Sequence, residues 1–326
     1  MAKFVITNPI NDAGMELLEN EGDYYLARNP NPNNYLDKME DAECLIVSIA
    51  SCDKNVIENS PNLKVIGRTG VGYDSVDVSY ATSKGIPVVI TPGANSRSVA
   101  EAAIASVFAL SKNMIKSNQL TRNGDWDLIR NSESFFEIKD KTIGIVGLGH
   151  IGKIVSELAQ ANNMKVIWYD PYVSEDDDSV ANKYGTKIHD FKQILEDSDF
   201  LTLHMPLTED TKYLISLKEL ELMKTSSFLI NLGRGGLVNE KDLLYALDND
   251  LISGAAIDTF ETEPIGKDYQ LLKSDKIIVS PHSASQAIEA QERVANMCVE
   301  GCLAIMRGEK WAYVADKSVY DHERWN

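Results

Sequence analysis

Three ionisable side chains fall just past runs that read as strands. Arg234 follows Ser226–Leu232 in Asn231-Leu-Gly-Arg234-Gly-Gly, and Glu263 follows Ile252–Thr259 in Asp258-Thr-Phe-Glu-Thr-Glu263-Pro264. His282 follows Lys276–Ser280 in Ser280-Pro-His282-Ser. Each type suits one task in moving a hydride and a proton at a hydroxy acid. A guanidinium grips a planar carboxylate in a fork. An imidazole moves a hydroxyl proton near neutral pH. A carboxylate orients such an imidazole and favours its cationic form. Singly, each residue has a plainer reading: a packed histidine, a loop anchor, a cap before Pro264. Their coincidence at one kind of strand end favours chemistry.

A fourth element supplies the place for a cofactor. Gly147-Leu-Gly149-His150-Ile151-Gly152 follows the run Thr142–Val146 and opens a helical stretch. In this context the first glycine allows a tight turn, the second lets a pyrophosphate approach the backbone, and the third lets helix and strand pack closely. The helix start then offers free N–H groups and a positive dipole to phosphate. Asp170 ends the next strand, 18 residues after Gly152, where an acid is expected on ribose hydroxyls. Its charge repels a 2′-phosphate and no arginine follows at once, so the pattern points to NAD.

These residues need sheets whose carboxyl ends face one way, because ligands of open α/β sheets bind beyond those ends. The chain meets that need by alternating short β-rich runs with amphipathic stretches. The first series reads as strands Lys3–Thr7, Tyr24–Ala27, Cys44–Val47, Lys64–Gly67 and Pro87–Ile90, with helices Asn11–Asn20, Asn33–Met39, Asp53–Glu58 and Ser75–Lys84. Asn95–Ser117 reads as one long helix. A second series runs through strands Thr142–Gly147, Lys165–Asp170, Phe200–His204, Ser226–Leu232, Ile252–Thr259 and Lys276–Ser280, with helices Ile151–Asn162 and Glu240–Asp248. Ser216-Leu-Lys-Glu219 has the pattern of a capping box, and Glu175–Asp178 reads as a solvated helix start. Glu289–Met306 is a long amphipathic helix followed by a tail too short to bury a core alone. The tail is therefore expected to rejoin the first series, which makes the second an insertion.

Composition sets limits on this picture. The chain has 326 residues, 44% hydrophobic and 25% charged, which are globular values that suit two domains. The 32 Lys and Arg against 49 Asp and Glu give a net charge of −17, which argues against nucleic acid or an anionic membrane as partner. No apolar run approaches the ~20 residues of a spanning helix, and the first residues lack the apolar stretch of a signal peptide. A soluble, cytoplasmic protein is expected. Cys44, Cys52, Cys298 and Cys302 form no metal or disulfide framework. Cys298 and Cys302 share one helical face but lack a second ligand pair, so they read as small buried apolar residues and no metal is expected.

Taken together, these motifs resemble the D-isomer-specific 2-hydroxyacid dehydrogenase family over nearly the whole chain. The resemblance rests on Arg68-Thr-Gly-Val-Gly72-Tyr-Asp74, Ser98-Val-Ala-Glu101, Gly147–Gly152, Asn231–Gly235, Phe260–Pro264 and Ser280–His282. It implies an α/β chain of two Rossmann/flavodoxin-like parallel-sheet domains with a cleft between, the nucleotide domain inserted in the substrate domain. The substrate domain would hold residues 1–97 and 288–326, the NAD-binding domain residues 98–287. It implies that Arg234 binds the substrate carboxylate and carbonyl, that His282 is the acid/base, and that Glu263 supports it. Val71, Gly72 and Asn95 would bind substrate. Gly147, Gly149, His150, Ile151, Gly152, Asp170, His204, Pro206, Leu232, Gly233 and Asp258 would contact NAD. The family pattern further implies a homodimer, with Trp126 near the neighbouring subunit's cleft. The expected activity is reversible hydride transfer between NAD and a small D-2-hydroxy or 2-oxo acid.

One departure bears on the acid. Phosphoglycerate dehydrogenases typically carry an arginine after the third strand, whereas Val47-Ser-Ile-Ala-Ser-Cys-Asp53 holds no base before Lys54. The chain also ends before the regulatory domain many of them append. An unphosphorylated acid is thus at least as well suited as 3-phosphoglycerate, with Lys54, Arg97 and a neighbouring subunit's Arg122 as other anion partners. A formate or phosphite dehydrogenase is a narrower alternative. From a different class, an NAD(H)-sensing corepressor shares such a fold, but no docking tail or basic surface supports it.

Overall fold

The computed structural model describes residues 3–130, 135–174, 180 and 183–325. The chain divides into two compact units, Met1–Asn95 with Gln286–Asn326, and Ser96–Ser285. Each is built on its own parallel sheet.

The first unit carries β1 (Phe4–Ile6), β2 (Tyr24–Leu26), β3 (Cys44–Val47), β4 (Val65–Arg68) and β5 (Val88–Val89), in the order β2-β1-β3-β4-β5. That is the flavodoxin-like order. All four residues of β3 are buried, as expected of a strand covered on both faces, where alternation gives way to a continuous apolar run. Helices α1 (Asp12–Glu19), α2 (Lys54–Glu58) and α3 (Val78–Ser83) begin at Asn11, Asp53 and Asp77, whose side chains each accept an N–H of the first turn. Register pairs Val47 with Arg68, so the loops leaving β3 and β4 start side by side.

The expected helix Asn33–Met39 is instead two 3-10 turns, Pro32–Asn34 and Leu36–Lys38, broken at Tyr35. Tyr35 has φ −142° and its ring is fully buried. Burying that ring outweighs continuing a helix through a polar Asn-Pro-Asn-Asn stretch.

The second unit opens with α4 (Ser96–Ser111), α5 (Met114–Asn123) and α6 (Trp126–Arg130). The single helix expected over Asn95–Ser117 is therefore broken. Asn113 takes the left-handed conformation at φ 46°, and α4 and α5 meet at 54°. Asparagine is among the few residues that adopt this conformation readily. The break falls where the buried stripe stops: α4 buries nine residues, the last being Leu110 and Ser111, and α5 buries none.

The sheet of this unit comprises β6 (Thr142–Val146), β7 (Lys165–Tyr169), β8 (Thr186–Lys187), β9 (Phe200–Leu203), β10 (Phe228–Asn231), β11 (Gly254–Ile257) and β12 (Ile277–Val279). Their order is β12-β11-β10-β9-β6-β7-β8, so the winding reverses between β6 and β9. Its helices are α7 (His150–Ala161), α8 (Phe191–Asp197), α9 (Leu217–Leu220) and α10 (Glu240–Asp248). The capping box at Ser216 is present, with its N–H donating to Glu219 Oε2 at 3.2 Å. Glu175–Asp178 lies outside the described residues. The short β8 and α8 follow it and carry too little periodicity to stand out in the sequence.

Finally α11 (Ile288–Met306) packs on α1 and β4 of the first unit, burying Cys298 and Cys302 with Phe4, Ile46 and Val65. Two layers of helix over one sheet give each unit its core. Among the described residues no single helix is long and apolar enough to cross a membrane.

Candidate functional site

The reversal between β6 and β9 is where an open α/β sheet leaves a crevice at its carboxyl edge, and the glycine turn of residues 147–152 stands there. Gly147 has φ 97°, and a Cβ on it would lie 2.6 Å from the His204 carbonyl. A Cβ on Gly152 would lie 2.1 Å from the Gly147 carbonyl. Gly149 faces open space, with nothing within 4 Å of such an atom. It caps α7 without a side-chain hydrogen bond. The turn is therefore closed where it packs and open where a phosphate would approach, with the unspent amides of a helix start beneath. The residues present fit a dinucleotide.

Asp170 ties this turn to the next strand end. Its Oδ2 accepts the Leu148 N–H and its Oδ1 accepts the Tyr172 N–H, both at 2.9 Å. Each oxygen keeps a lone pair for a ribose hydroxyl. His204 is held differently. Its Nε2 pairs with Thr202 Oγ1 at 2.9 Å, and burial pushes the imidazole down to about 4. It is a neutral ring at physiological pH, and its carbonyl forms the floor under Gly147.

The three chemical residues leave adjacent strands: Arg234 follows β10, Glu263 follows β11 and His282 follows β12. His282 Nδ1 lies 2.7 Å from Glu263 Oε2. The other oxygen of Glu263 accepts the Phe260 N–H at 2.9 Å, which fixes the carboxylate. The pairing sets Nδ1 as the proton-bearing nitrogen when the ring is neutral. Nε2, on the opposite edge, makes no hydrogen bond within the described residues. The ring remains about half open to solvent. One carboxylate thus orients the imidazole and leaves its far nitrogen to exchange a proton.

Arg234 is placed by its neighbours. Asn231, 1% exposed, gives its side-chain amide to the Arg234 carbonyl at 2.8 Å and accepts the Gly233 N–H at 3.2 Å. One guanidinium N–H goes to the Gly233 carbonyl. The next residue, Gly235, sits directly on the backbone of Phe260 and Glu261. That contact joins the arginine turn to the loop carrying Glu263. Leu232 is buried, and a Cβ on Gly233 would lie 3.4 Å from the Leu203 carbonyl.

Asp258 is fully buried. Its carboxylate takes the Ser280 hydroxyl and the N–H groups of Ser283 and Ala284, while its carbonyl accepts the His282 N–H at 2.8 Å. His282 has φ 52°, a conformation that needs such support. Asp258 thus holds the histidine turn. Sequence reasoning saw Asp258 only as a cofactor contact, and it missed Asn231; an Asx pattern before Gly233 was the available signal.

In the first unit, Val71 and Gly72 follow β4. Thr69 N–H bonds the Val47 carbonyl and Thr91 N–H bonds the Gly70 carbonyl, both at 3.0 Å, so the loop is stitched to β3 and to the end of β5. No hydrogen bond of the described residues uses the N–H of Val71 or Gly72. Two successive free amides suit an anion. Asn95 follows Ala94, whose carbonyl accepts Arg293 Nε at 2.9 Å, a contact that the sequence did not announce. Among the described residues no group of acids, histidines and cysteines is arranged to hold a metal.

Comparison with known proteins extends these observations. The profile described as D-isomer specific 2-hydroxyacid dehydrogenase, NAD binding domain, matches residues 104–284. A D-3-phosphoglycerate dehydrogenase of Methanocaldococcus jannaschii is 38% identical over 95% of this chain, which spans 58% of that protein's length. A glyoxylate reductase of Thermococcus litoralis is 33% identical, with 97% of both chains covered. Among solved structures, D-lactate dehydrogenase with NAD+ from Lactobacillus jensenii superposes with a TM-score of 0.79 at 26% identity, covering 97% of this chain and all of that one.

Proposed function

Because the chain belongs to the D-isomer specific 2-hydroxyacid dehydrogenases, NAD-dependent oxidoreductases with two Rossmann-like parallel-sheet domains, we propose that it interconverts a small D-2-hydroxy acid and its 2-oxo acid. When bound, NAD supplies or takes the hydride, between nicotinamide C4 and substrate C2. Gly147, Gly149, His150, Ile151 and Gly152 hold its pyrophosphate, and Asp170 its ribose. Pro206, Leu232 and Gly233 line the same unit's carboxyl edge.

The observation that carries the reading is the Glu263–His282 pair, 2.7 Å apart on the strand end beside that of Arg234. In reduction His282 gives the proton on Nε2 to the forming hydroxyl, and in oxidation it takes the proton back. Glu263 compensates the charge that His282 carries before it gives up that proton. Arg234 holds the substrate carboxylate in a planar fork and polarises the carbonyl. Val71 and Gly72 offer their amides to the carboxylate, and Asn95 is assigned to substrate binding with them.

Of the acids named for relatives, glyoxylate suits the loop of residues 47–53, which contains no base. The 38% identity to a D-3-phosphoglycerate dehydrogenase favours a second reading, in which the phosphorylated acid is used. Loss of NADH absorbance with glyoxylate, hydroxypyruvate, pyruvate and phosphohydroxypyruvate decides between them. Turnover of none of the four, with NADH bound, removes the enzymatic reading. Arg234→Ala is expected to abolish turnover while NADH affinity stays within a few-fold.

We assign the working form to a cytoplasmic homodimer. Four buried free thiols suit a reducing compartment. In the second unit Met114, Ile115, Trp126 and Leu128 are exposed on α5 and α6, beside a 1320 Å³ groove between α5 and β12. A second copy covers this face. Sedimentation of Ile115→Asp as a monomer supports the assignment; a monomeric wild type removes it.

A further inference from the structure

The loop that follows β11 carries Glu263, and one side chain from another element holds it at two points. Glu240 opens α10. Its Oε1 accepts the Glu261 N–H at 2.8 Å, and Glu261 Oε1 accepts the Glu240 N–H at 3.0 Å. Its Oε2 accepts the hydroxyl of Tyr269. The two holds fall two residues before Glu263 and six residues after it. Between them, the Tyr269 ring stands edge-on to Phe260 at 5.7 Å between centres, and the Phe260 N–H is the one that fixes Glu263.

Helix capping does not account for these bonds. Asn239 already caps α10 by accepting the N–H groups of Lys241 and Asp242, and Glu240 spends both oxygens on the loop. Charge does not account for them either. Burial raises the Glu240 carboxyl, and the charges of Glu261 and Glu263 raise it further; only the hydrogen bonds to Tyr269 and Glu261 act the other way. The attraction is therefore one of directed hydrogen bonds, which fix position. Tyr213 extends the clamp to the arginine turn, giving its N–H to the Gly236 carbonyl at 2.7 Å and its hydroxyl to Glu261 Oε2 at 3.1 Å.

We propose that Glu240 is a positioning residue for the acid/base pair: by clamping Glu261 and Tyr269 it sets where the Glu263 carboxylate meets His282. The inference rests on the reading of Glu263 and His282 as that pair. The path is short. It runs from Glu240 to the Glu261 amide, through one peptide to the Phe260 N–H, on to Glu263, and from Glu263 to His282 Nδ1. Misplacing a group in such a pair costs rate while leaving ligand binding in place.

The test is a double-mutant cycle on the whole protein, with the 2-oxo acid it reduces fastest. Glu240→Ala is expected to lower kcat roughly ten- to a hundredfold, with KM for the acid and Kd for NADH within about threefold. Glu240→Gln keeps an acceptor for the Glu261 N–H and can donate to the Tyr269 oxygen, so its kcat is expected within about threefold of the wild type. Because Glu240 acts through Glu263, adding Glu240→Ala to Glu263→Ala is expected to change kcat by no more than about twofold. A purely structural role multiplies the two losses instead. Wild-type kcat in Glu240→Ala overturns the proposal, as do multiplied losses in the double variant or a Glu240→Gln as slow as Glu240→Ala. Should Glu240→Ala fail to fold, Tyr269→Phe, which removes one hold and keeps the ring on Phe260, takes its place in the same cycle. A Glu263→Ala variant as active as the wild type removes the reading of the pair and the proposal with it. That failure is distinct from a Glu263→Ala that is slow beside a Glu240→Ala that is indifferent.

Discussion

Gly235→Ala is the sharpest probe of how the arginine turn is seated. The backbone at Gly235 does not need a positive φ, so alanine is acceptable there on conformational grounds. Space is the difficulty. A Cβ would stand 1.9 Å from the Phe260 carbonyl carbon, 2.1 Å from its oxygen and 2.4 Å from the Glu261 nitrogen. All three are backbone atoms, so no side-chain rotation relieves the clash. Reaching ordinary contact at 3.4 Å opens the turn by about 1.5 Å. Arg234 moves with it on one side; on the other, the Phe260 N–H that fixes Glu263 is pushed away. A displacement near 1 Å costs on the order of a hundredfold in rate, and the overpacking costs about 1–3 kcal/mol of stability. The expected result is kcat for the preferred 2-oxo acid down roughly a hundredfold, with NADH Kd nearly unchanged and a lowered Tm. Gly236→Ala is the control, because its Cβ meets only the flexible end of Leu207 at 3.1 Å. Full activity in Gly235→Ala, or an equal loss in Gly236→Ala, refutes the reasoning.

Gly152→Ala places a Cβ 2.1 Å from the Gly147 carbonyl, so α7 must withdraw from the turn; NADH Kd is expected to rise at least tenfold, and titration of NADH fluorescence checks it. His204 makes stability depend on pH. Its folded value of about 4 lies below the ordinary 6.5, so the unfolded chain binds the extra proton and stability falls as pH drops through 6.5 towards 4. Between about pH 8 and pH 5 this amounts to roughly 2 kcal/mol; urea titrations of His204→Gln are expected to be flatter by that amount, and an unaltered pH slope counts against the assignment. All four cysteines are buried, and burial pushes the Cys52 thiol up to about 12, so a thiol-reactive disulfide reagent is expected to label almost none in the native protein and all four in denaturant.

Legibility tracked how local each signal is. The turn at Gly147–Gly152 and the acid at Asp170 are set by close approach within one βαβ unit, and the sequence carries that approach as missing side chains. Strand centres were equally plain, since β3, β9, β10 and β11 are buried along their whole length. Pairing of His282 with Glu263 was an inference from strand ends, and strand order supplied the adjacency that residue types alone do not. What stayed hidden depends on tertiary choice. The break at Asn113 is decided by where α4 runs out of buried surface, and the 3-10 turns around Tyr35 by one ring seeking the core. Asp258 is implied as an NAD contact only by the family resemblance, and its part in holding the His282 turn is set by tertiary packing. Its burial turns the carboxylate inward, onto Ser280, Ser283 and Ala284.

The two-oxygen grip of Asp170 has a consequence for redesign of cofactor preference. A common aim in such work is to replace the ribose-facing acid with a small neutral residue and add an arginine nearby for a 2′-phosphate. Here that exchange would also cut two braces, those to Leu148 and Tyr172. Asparagine retains one acceptor oxygen and turns the other position into a donor, so it cannot receive both amides as the carboxylate does. Selectivity and loop architecture are therefore not separable variables at this position. A preference switch has to be accompanied by a new acceptor for at least one of those two amides.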